Sequence, residues 1–338
     1  MKIVVLSLSF LPNVGGLENI MAGLAIEWSK GHDVKVYTKT KIDNTESSVS
    51  YQIIRKFNLF TLFTAVKHAD VFIEANISLK TCLVGLINIK KWHVIHHTYY
   101  GGYQTSFLDE FKRKLKIILT LFSKNISCSH FVSSYILGKS VVIPNFYNDE
   151  IFKLYSLERN KKSLVFLGRL VTEKGVDFLL YALGILKNRG QKYQLSIIGE
   201  GPEELNLREI VRNLDLDNLV SFKGTLRGDE LSMELNCHDV MVIPSRCKEA
   251  FGIVALEGLA CGCKIVCPDE GGLKESAGQS SFLYRYNDLA SLTVSIELAF
   301  AHFSNVDNFF IINDHLNQHI QSKIANKYLD YINCSLGG

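Results

Sequence analysis

The sequence predicts an α/β protein made of two tandem, doubly wound Rossmann-like domains, and three observations carry that expectation. Short β-rich runs alternate with helical stretches along the chain, which is the rhythm of βαβ units. The pattern restarts after Val141-Val142-Ile143-Pro144-Asn145. The length, 338 residues, exceeds what one hydrophobic core usually fills. The domains are therefore expected at 1–145 and 146–338, with a last helix over about 316–335 that can cross back to the first domain.

In the first half, KIVVLSLS reads as a strand, Glu18 to Lys30 as a helix, and HDVKVYT, DVFIEAN and WHVIHH as further strands. In the second half, SLVFLGRL, YQLSIIGEG, LVSFKG, DVMVIPS and KIVCPD read as strands, with helices over 175–188 and 203–213. Ligands of such sheets sit beyond the carboxyl ends of the strands, so the loops that follow strands are where chemistry is expected.

Composition supports an ordinary globular chain: 47% hydrophobic, 21% charged and only five prolines, with no low-complexity tract. The opening MKIVVLSLSFLPNVGG is interrupted by Ser7 and Ser9 and lacks a small-residue cleavage site, so it reads as a first strand, not a secretion signal. No run approaches the roughly 18 apolar residues of a membrane span. A cytoplasmic location is expected, with the inner face of the plasma membrane as a further place. The eight cysteines form no C-x-x-C pair and read as reduced thiols. Cys261, Cys263 and Cys267 flank or occupy a strand whose alternate residues face opposite ways, which argues against a shared metal ion.

Charge divides unevenly. Residues 1–150 hold 17 Lys/Arg against 11 Asp/Glu, and residues 151–338 hold 20 against 23. A basic first half suits an anionic surface or substrate, and solvated lysines give the same count. Within it, 107–125 (FLDEFKRKLKIILTLFSKN) places Phe107, Phe111, Leu115, Ile118 and Phe122 on one face of a basic amphipathic helix. Such a helix either packs on the first sheet or touches anionic lipid headgroups. No nucleic-acid partner is expected.

Three loops have the chemistry of an anion and sugar site. Pro12-Asn13-Val14-Gly15-Gly16-Leu17-Glu18 joins the first strand to the first helix, and its glycines let backbone approach a ligand at a helix N-terminus. Gly168 to Gly175 (GRLVTEKG) puts Arg169 and Lys174 after a strand, a planar fork of donors beside a mobile point charge, which together suit a diphosphate. The segment Lys248 to Ala260 (KEAFGIVALEGLA) sets Glu249 at a strand exit and Glu257 on the following helix, sharing a face with Ile253 and Val254. A carboxylate on such a face finds partners in pairs of sugar or ribose hydroxyls.

E-A-F-G-I-V-A-L-E resembles the E-x7-E motif of retaining glycosyltransferases of the GT-B fold, and most closely those of glycosyltransferase family 4. The same family is resembled by P-N-V-G-G-L-E, by G-R-L-V-T-E-K-G, by I-I-G-E-G-P at 197–202 and by C-G-C-K-I-V-C-P-D-E-G-G-L-K-E at 261–275. These motifs stand in family order from residue 10 to 275. The resemblance implies two Rossmann-like domains facing across a cleft, an acceptor-binding N-terminal one and a C-terminal one for a nucleotide-diphosphate sugar.

It also implies roles. Gly15 and Gly16 approach the diphosphate by backbone, Arg169 and Lys174 hold its phosphates, Glu249 bonds donor-sugar hydroxyls, and Glu257 takes the ribose. Phe251, Gly252, Ile253 and Val254 supply backbone donors and walls, Gly168 and Gly201 belong to the donor loops, and Thr225 and Leu226 lie near the base. The family places a histidine near the sugar; in W-H-V-I-H-H-T-Y-Y, His96 fits that place best, and His97 is the neighbouring alternative.

The implied reaction is sugar transfer from a UDP- or GDP-sugar to a sugar or lipid-linked acceptor, in bacterial cell-surface polysaccharide or lipopolysaccharide synthesis. It needs no cofactor besides the donor co-substrate, and no metal. Asp215-Leu216-Asp217 spells a D-x-D, but its place between a helix and the strand LVSFKG puts it in a turn away from the strand-end loops. The competing expectations are a nucleotide-sugar 2-epimerase on the same fold and a non-catalytic nucleotide-sugar or lipid-surface binding protein.

Overall fold

The computed structural model describes residues 1–13, 15–41, 49–101, 106–160, 162–301 and 306–337; Val14 of the first loop motif lies outside them. The chain divides into two units, Met1–Phe146 with Gln321–Gly338, and Tyr147–Ile320.

The first unit runs β1 (Lys2–Leu6), α1 (Gly16–Ser29), β2 (Asp33–Tyr37), β3 (Gln52–Ile54), α2 (Leu59–Lys67), β4 (Val71–Ala75), α3 (Cys82–Ile87), β5 (Trp92–His96), α4 (Phe107–Leu119), β6 (Lys124–Ser127), α5 (His130–Ser133) and β7 (Ser140–Val142). Its parallel sheet has the order β3-β2-β1-β4-β5-β6-β7. Strands β4 and β5 are buried at every position, as expected where helices cover both faces of a parallel sheet. On one face, Leu62 and Val66 of α2, Val84 of α3 and Leu119 of α4 close over Val4, Phe72, Trp92 and Val94.

Helix α4 is shorter than the periodicity of 107–125 suggests. It ends at Leu119, and Lys124 and Asn125 already belong to β6. The buried Asn125 amide donates to the carbonyls of Thr120, Ser123 and Lys139 and so fastens a turn where the apolar spacing continues through Leu121 and Phe122.

The second unit runs β8 (Ser163–Leu167), a single 3-10 turn (Thr172–Lys174), α6 (Val176–Asn188), β9 (Gln194–Ile198), α7 (Glu204–Asn213), β10 (Val220–Gly224), α8 (Gly228–Asn236), β11 (Val240–Val242), α9 (Ile253–Ala260), β12 (Lys264–Pro268), α10 (Leu273–Ala277), β13 (Phe282–Tyr284), α11 (Leu289–Ala301) and α12 (Val306–Gln318). Its sheet, also parallel, has the order β10-β9-β8-β11-β12-β13. The winding direction reverses between β8 and β11, and loops leaving the strands on either side of such a point part to leave a ligand crevice. The core gathers Leu164 and Phe166 of β8 with Leu179, Leu183, Leu195, Ile197 and Val242.

The last helix, α13 (Gln321–Leu336), belongs to the first unit and packs on α1. The buried Trp28 indole donates to the carbonyl of Ala325 at 3.1 Å, and its ring meets Tyr328 edge-on at 6.1 Å. Among the described residues no helix is long and apolar enough to cross a membrane.

Candidate functional site

Glycine packing draws the loops beyond β8, β9 and β11 together. A Cβ on Gly199 would lie 1.9 Å from the Gly168 carbonyl oxygen, and one on Gly201 2.2 Å from that of Leu170. These glycines therefore let the loops after β8 and β9 touch backbone to backbone. Gly201, expected among the donor residues, has in this contact a packing reason of its own.

Gly175 does the same between the loops after β8 and β11. Its φ is 66°, a left-handed value, and a Cβ there would lie 2.1 Å from the carbonyl oxygen of Pro244. The Arg246 amide donates to the Glu173 carbonyl at 2.8 Å alongside.

This docking sets Lys174 beside Glu249. Lys174 Nζ lies 2.9 Å from Glu249 Oε1, and the Ser245 hydroxyl donates to the same oxygen. The loop after β12 holds Glu249 from the other side: the Gly272 amide donates to its carbonyl at 2.8 Å. Burial alone would raise the Glu249 carboxyl, but the Lys174 charge and the two hydrogen bonds outweigh it and hold the group below its ordinary value. Lys174 is the mirror case. Burial would lower it, the Glu249 charge and hydrogen bond outweigh that and raise it, and nearby Arg169 opposes the rise.

Arg169 is exposed, and among the described residues its guanidinium makes no hydrogen bond or ion pair. One uncommitted cation therefore stands close to a neutralised cation–acid pair at the switch point of the sheet. Ser245 was not singled out in the sequence; its place four residues before Glu249 in a strand-exit loop is the signal that could have found it.

Helix α9 begins just beyond. Gly252, at φ 87°, turns the chain into it, and no side chain caps its N-terminus, so the positive end of the helix is open near Glu249. Ala255, Leu256 and Leu259 are buried while Ile253, Val254 and Glu257 are half-buried on the other side. Glu257 has no hydrogen-bond partner among the described residues, and burial pushes its carboxyl up to about 7. Phe251 turns into the core, with its ring 5.9 Å from that of His319. Thr225 and Leu226 leave the carboxyl end of β10, at the same end of the sheet.

The Asp215-Leu216-Asp217 turn lies before β10, at the opposite end of the sheet from Arg169 and Glu249. The Asp215 carbonyl accepts from Lys187 there, at 2.7 Å, and its φ is 48°.

In the first unit, Gly15 is extended and Gly16 opens α1. A Cβ on Gly15 would lie 2.4 Å from Glu18 Oε2, so the glycine lets this carboxylate fold back under the loop, where it accepts from the Ser9 hydroxyl.

His96, the preferred site histidine, and the alternative His97 differ in their surroundings. His96 is fully buried at the end of β5; its Nε2–H donates to Asn125 Oδ1 at 2.9 Å, and its Nδ1 meets the Tyr100 hydroxyl at 3.0 Å. Both nitrogens are taken, and burial lowers its pKa to about 4. His97 is the ring with hydrogen-bonding capacity to spare. It is 9% exposed, and among the described residues neither its ring nitrogens nor the neighbouring Asn145 Oδ1 has a well-formed hydrogen-bond partner. Burial pushes its pKa down to about 3, so the ring is neutral.

Residues 148–300 match the family model for glycosyl transferases group 1. The match falls on the unit that carries Arg169, Lys174, Glu249 and Glu257. Over 117 residues the chain is 37% identical to the D-inositol 3-phosphate glycosyltransferase of Pseudarthrobacter chlorophenolicus, a stretch covering 33% of this chain and 28% of that protein. The chain spans between 28% and 37% of the length of the curated relatives it matches.

Likeness of fold extends further. Anabaena Alr3699/HepE, solved in complex with UDP, superposes with a TM-score of 0.79 at 16% identity, covering 99% of this chain and 100% of that one. WaaG, a glycosyltransferase involved in lipopolysaccharide biosynthesis, superposes with a TM-score of 0.70 at 15% identity over 99% and 100%. The fold of two parallel α/β units is thus the one these structures share, the GT-B fold that the sequence led us to expect.

Proposed function

We propose that this protein is a retaining glycosyltransferase that moves a sugar from a UDP- or GDP-sugar to an acceptor hydroxyl. The observation that carries the reading is the Lys174–Glu249 pair beside Arg169, unpartnered among the described residues, at the switch point of the second sheet. The donor diphosphate lies against Arg169 and Lys174, the transferred sugar bonds Glu249, and the ribose diol donates to Glu257, whose unpartnered carboxyl is suited to it.

In the reaction the bond between the sugar's anomeric carbon and the diphosphate oxygen breaks, and a bond from that carbon to the acceptor oxygen forms on the same face. The acceptor proton passes to the departing phosphate. Charge building on that phosphate is what the catalyst must stabilise, and preorganised cations and helix N–H groups supply stabilisation of this kind, typically ~3 kcal/mol for each donor. Glu249, paired with Lys174, orients sugar hydroxyls and is not the nucleophile. We infer that no divalent metal is needed, because two side-chain cations already stand where the diphosphate would be met.

We assign the acceptor, a saccharide or a lipid-linked saccharide, to the N-terminal unit, and a part in transfer to one histidine of the His96–His97 pair. Cell-surface polysaccharide or lipopolysaccharide synthesis in the cytoplasm is the setting we favour, and the likeness to WaaG supports it. The test is incubation of the full chain with a panel of UDP- and GDP-sugars and candidate acceptors, read by mass spectrometry, with and without a chelator. Sugar added to an acceptor supports the reading. Release of epimerised sugar without an acceptor identifies a 2-epimerase, and binding with no turnover identifies a non-catalytic binder; either overturns it.

A further inference from the structure

Helix α4 presents its apolar stripe outward. Arg113 and Ile117 lie on the inner side: both are half-buried, and Arg113 donates to the Tyr100 carbonyl at 2.6 Å. At about 100° per residue, Phe107, Leu108, Phe111, Leu115 and Ile118 share the opposite side. All five are exposed, Phe107 at 86%, Leu108 at 64% and Phe111 at 59%. Such a stripe on an ordinary surface helix would face the core; here only Leu119, at the helix end, reaches the buried cluster.

The rims of the stripe are cationic. Lys112 falls on one side of it and Lys114 on the other, each more than half exposed. Their acidic neighbours, Asp109 and Glu110, sit on the flank away from the stripe, in exposed pairs of the kind that contribute little. Between Phe107 and Lys124 five cations stand against two acids. Helix α3, which packs on the same buried cluster, also exposes apolar side chains, Leu83 at 63% and Ile87 at 67%.

We propose that the outer face of α4 docks on an anionic lipid bilayer. Helices that lie in the membrane–water boundary combine a row of aromatic and aliphatic side chains with Lys and Arg beside it, and they bind by apolar burial together with attraction to acidic headgroups. A protein partner with an apolar groove would use the stripe but has no need of cations on both rims; the lysines favour a negatively charged plane. The inference goes beyond the glycosyltransferase reading and does not depend on turnover.

The test is co-sedimentation of the full chain with phosphatidylglycerol-containing vesicles and with phosphatidylcholine vesicles. We expect binding to the anionic vesicles that weakens with salt, and little to the neutral ones. Phe107→Ser/Phe111→Ser weakens it by roughly tenfold or more, and Lys112→Glu/Lys114→Glu, which keeps the apolar stripe, also releases the protein. Circular dichroism of both variants is expected to match the parent, since all four side chains are exposed. A parent chain that stays in the supernatant, variants that bind like the parent, or light scattering that shows copies associating through the stripe without lipid would overturn the proposal.

Discussion

Lys174 and Glu249, 75 positions apart in the chain, meet at 2.9 Å across the point where the second sheet reverses its winding. Each is shifted toward its charged form by the other, so the pair is fixed before any ligand arrives. Replacing Glu249 with Gln keeps the shape but leaves Lys174 without its counter-charge. We expect a loss of turnover on the order of a hundredfold together with a stability loss of about 1–3 kcal/mol, read by steady-state kinetics and urea unfolding.

Arg169 gives the opposite pattern. It is exposed and bonds to nothing among the described residues, so Arg169→Ala should leave stability within about 0.5 kcal/mol of the parent. Nucleoside-diphosphate affinity should fall by roughly tenfold or more, because a charge-assisted hydrogen bond contributes about 1.5–3 kcal/mol. Arg169→Lys should restore only part of it, since a point charge cannot replace a planar fork. Titration calorimetry checks both variants.

Glu257 makes binding depend on pH. Its folded carboxyl is raised to about 7 from an ordinary 4.5, so the folded state keeps a proton that the unfolded state has released between those values. Stability therefore falls as pH rises through that window and levels off above 7. Hydroxyl donors favour the ionised carboxylate, so nucleotide affinity should rise from pH 5.5 toward 7, by at most about tenfold per unit, and then flatten. Glu257→Gln should lose this rise; the nucleotide's own phosphate titrates equally in both proteins, and their difference isolates the side chain.

The two neighbouring histidines should separate in their effects. His96→Ala removes a ring with both nitrogens satisfied in the core and should cost about 2–4 kcal/mol of stability. His97→Ala removes nitrogens that have no well-formed partner and should cost less, while raising the donor KM by roughly tenfold if the ring meets the sugar. Thermal melts and donor saturation curves distinguish them.

Much of the fold was legible because buried parallel strands read as near-continuous apolar runs: KIVVL, SLVFL and, with Glu74 as its one interruption, VFIEA needed no tertiary information. The three-residue strands β3, β7 and β13 were not, since few of their residues are buried and their flanks carry no clear period. The overlong 107–125 helix shows the same limit from the other side, because the turn that ends α4 is made by Asn125 reaching Lys139, a contact that no local pattern encodes. Glu249 and Lys174 were each visible as candidates, but their pairing depends on the close approach of Gly175 to Pro244. Which of His96 and His97 keeps hydrogen-bonding capacity to spare was not legible for a similar reason: Asn125, 29 positions from His96, saturates the His96 ring.

The most direct measurement is a crystal structure of the chain with UDP or GDP bound. We predict diphosphate oxygens within hydrogen-bonding distance of Arg169 and Lys174 and the ribose diol on Glu257. A nucleotide seated elsewhere, with Arg169 still unpartnered and Glu257 turned away from it, would contradict the account.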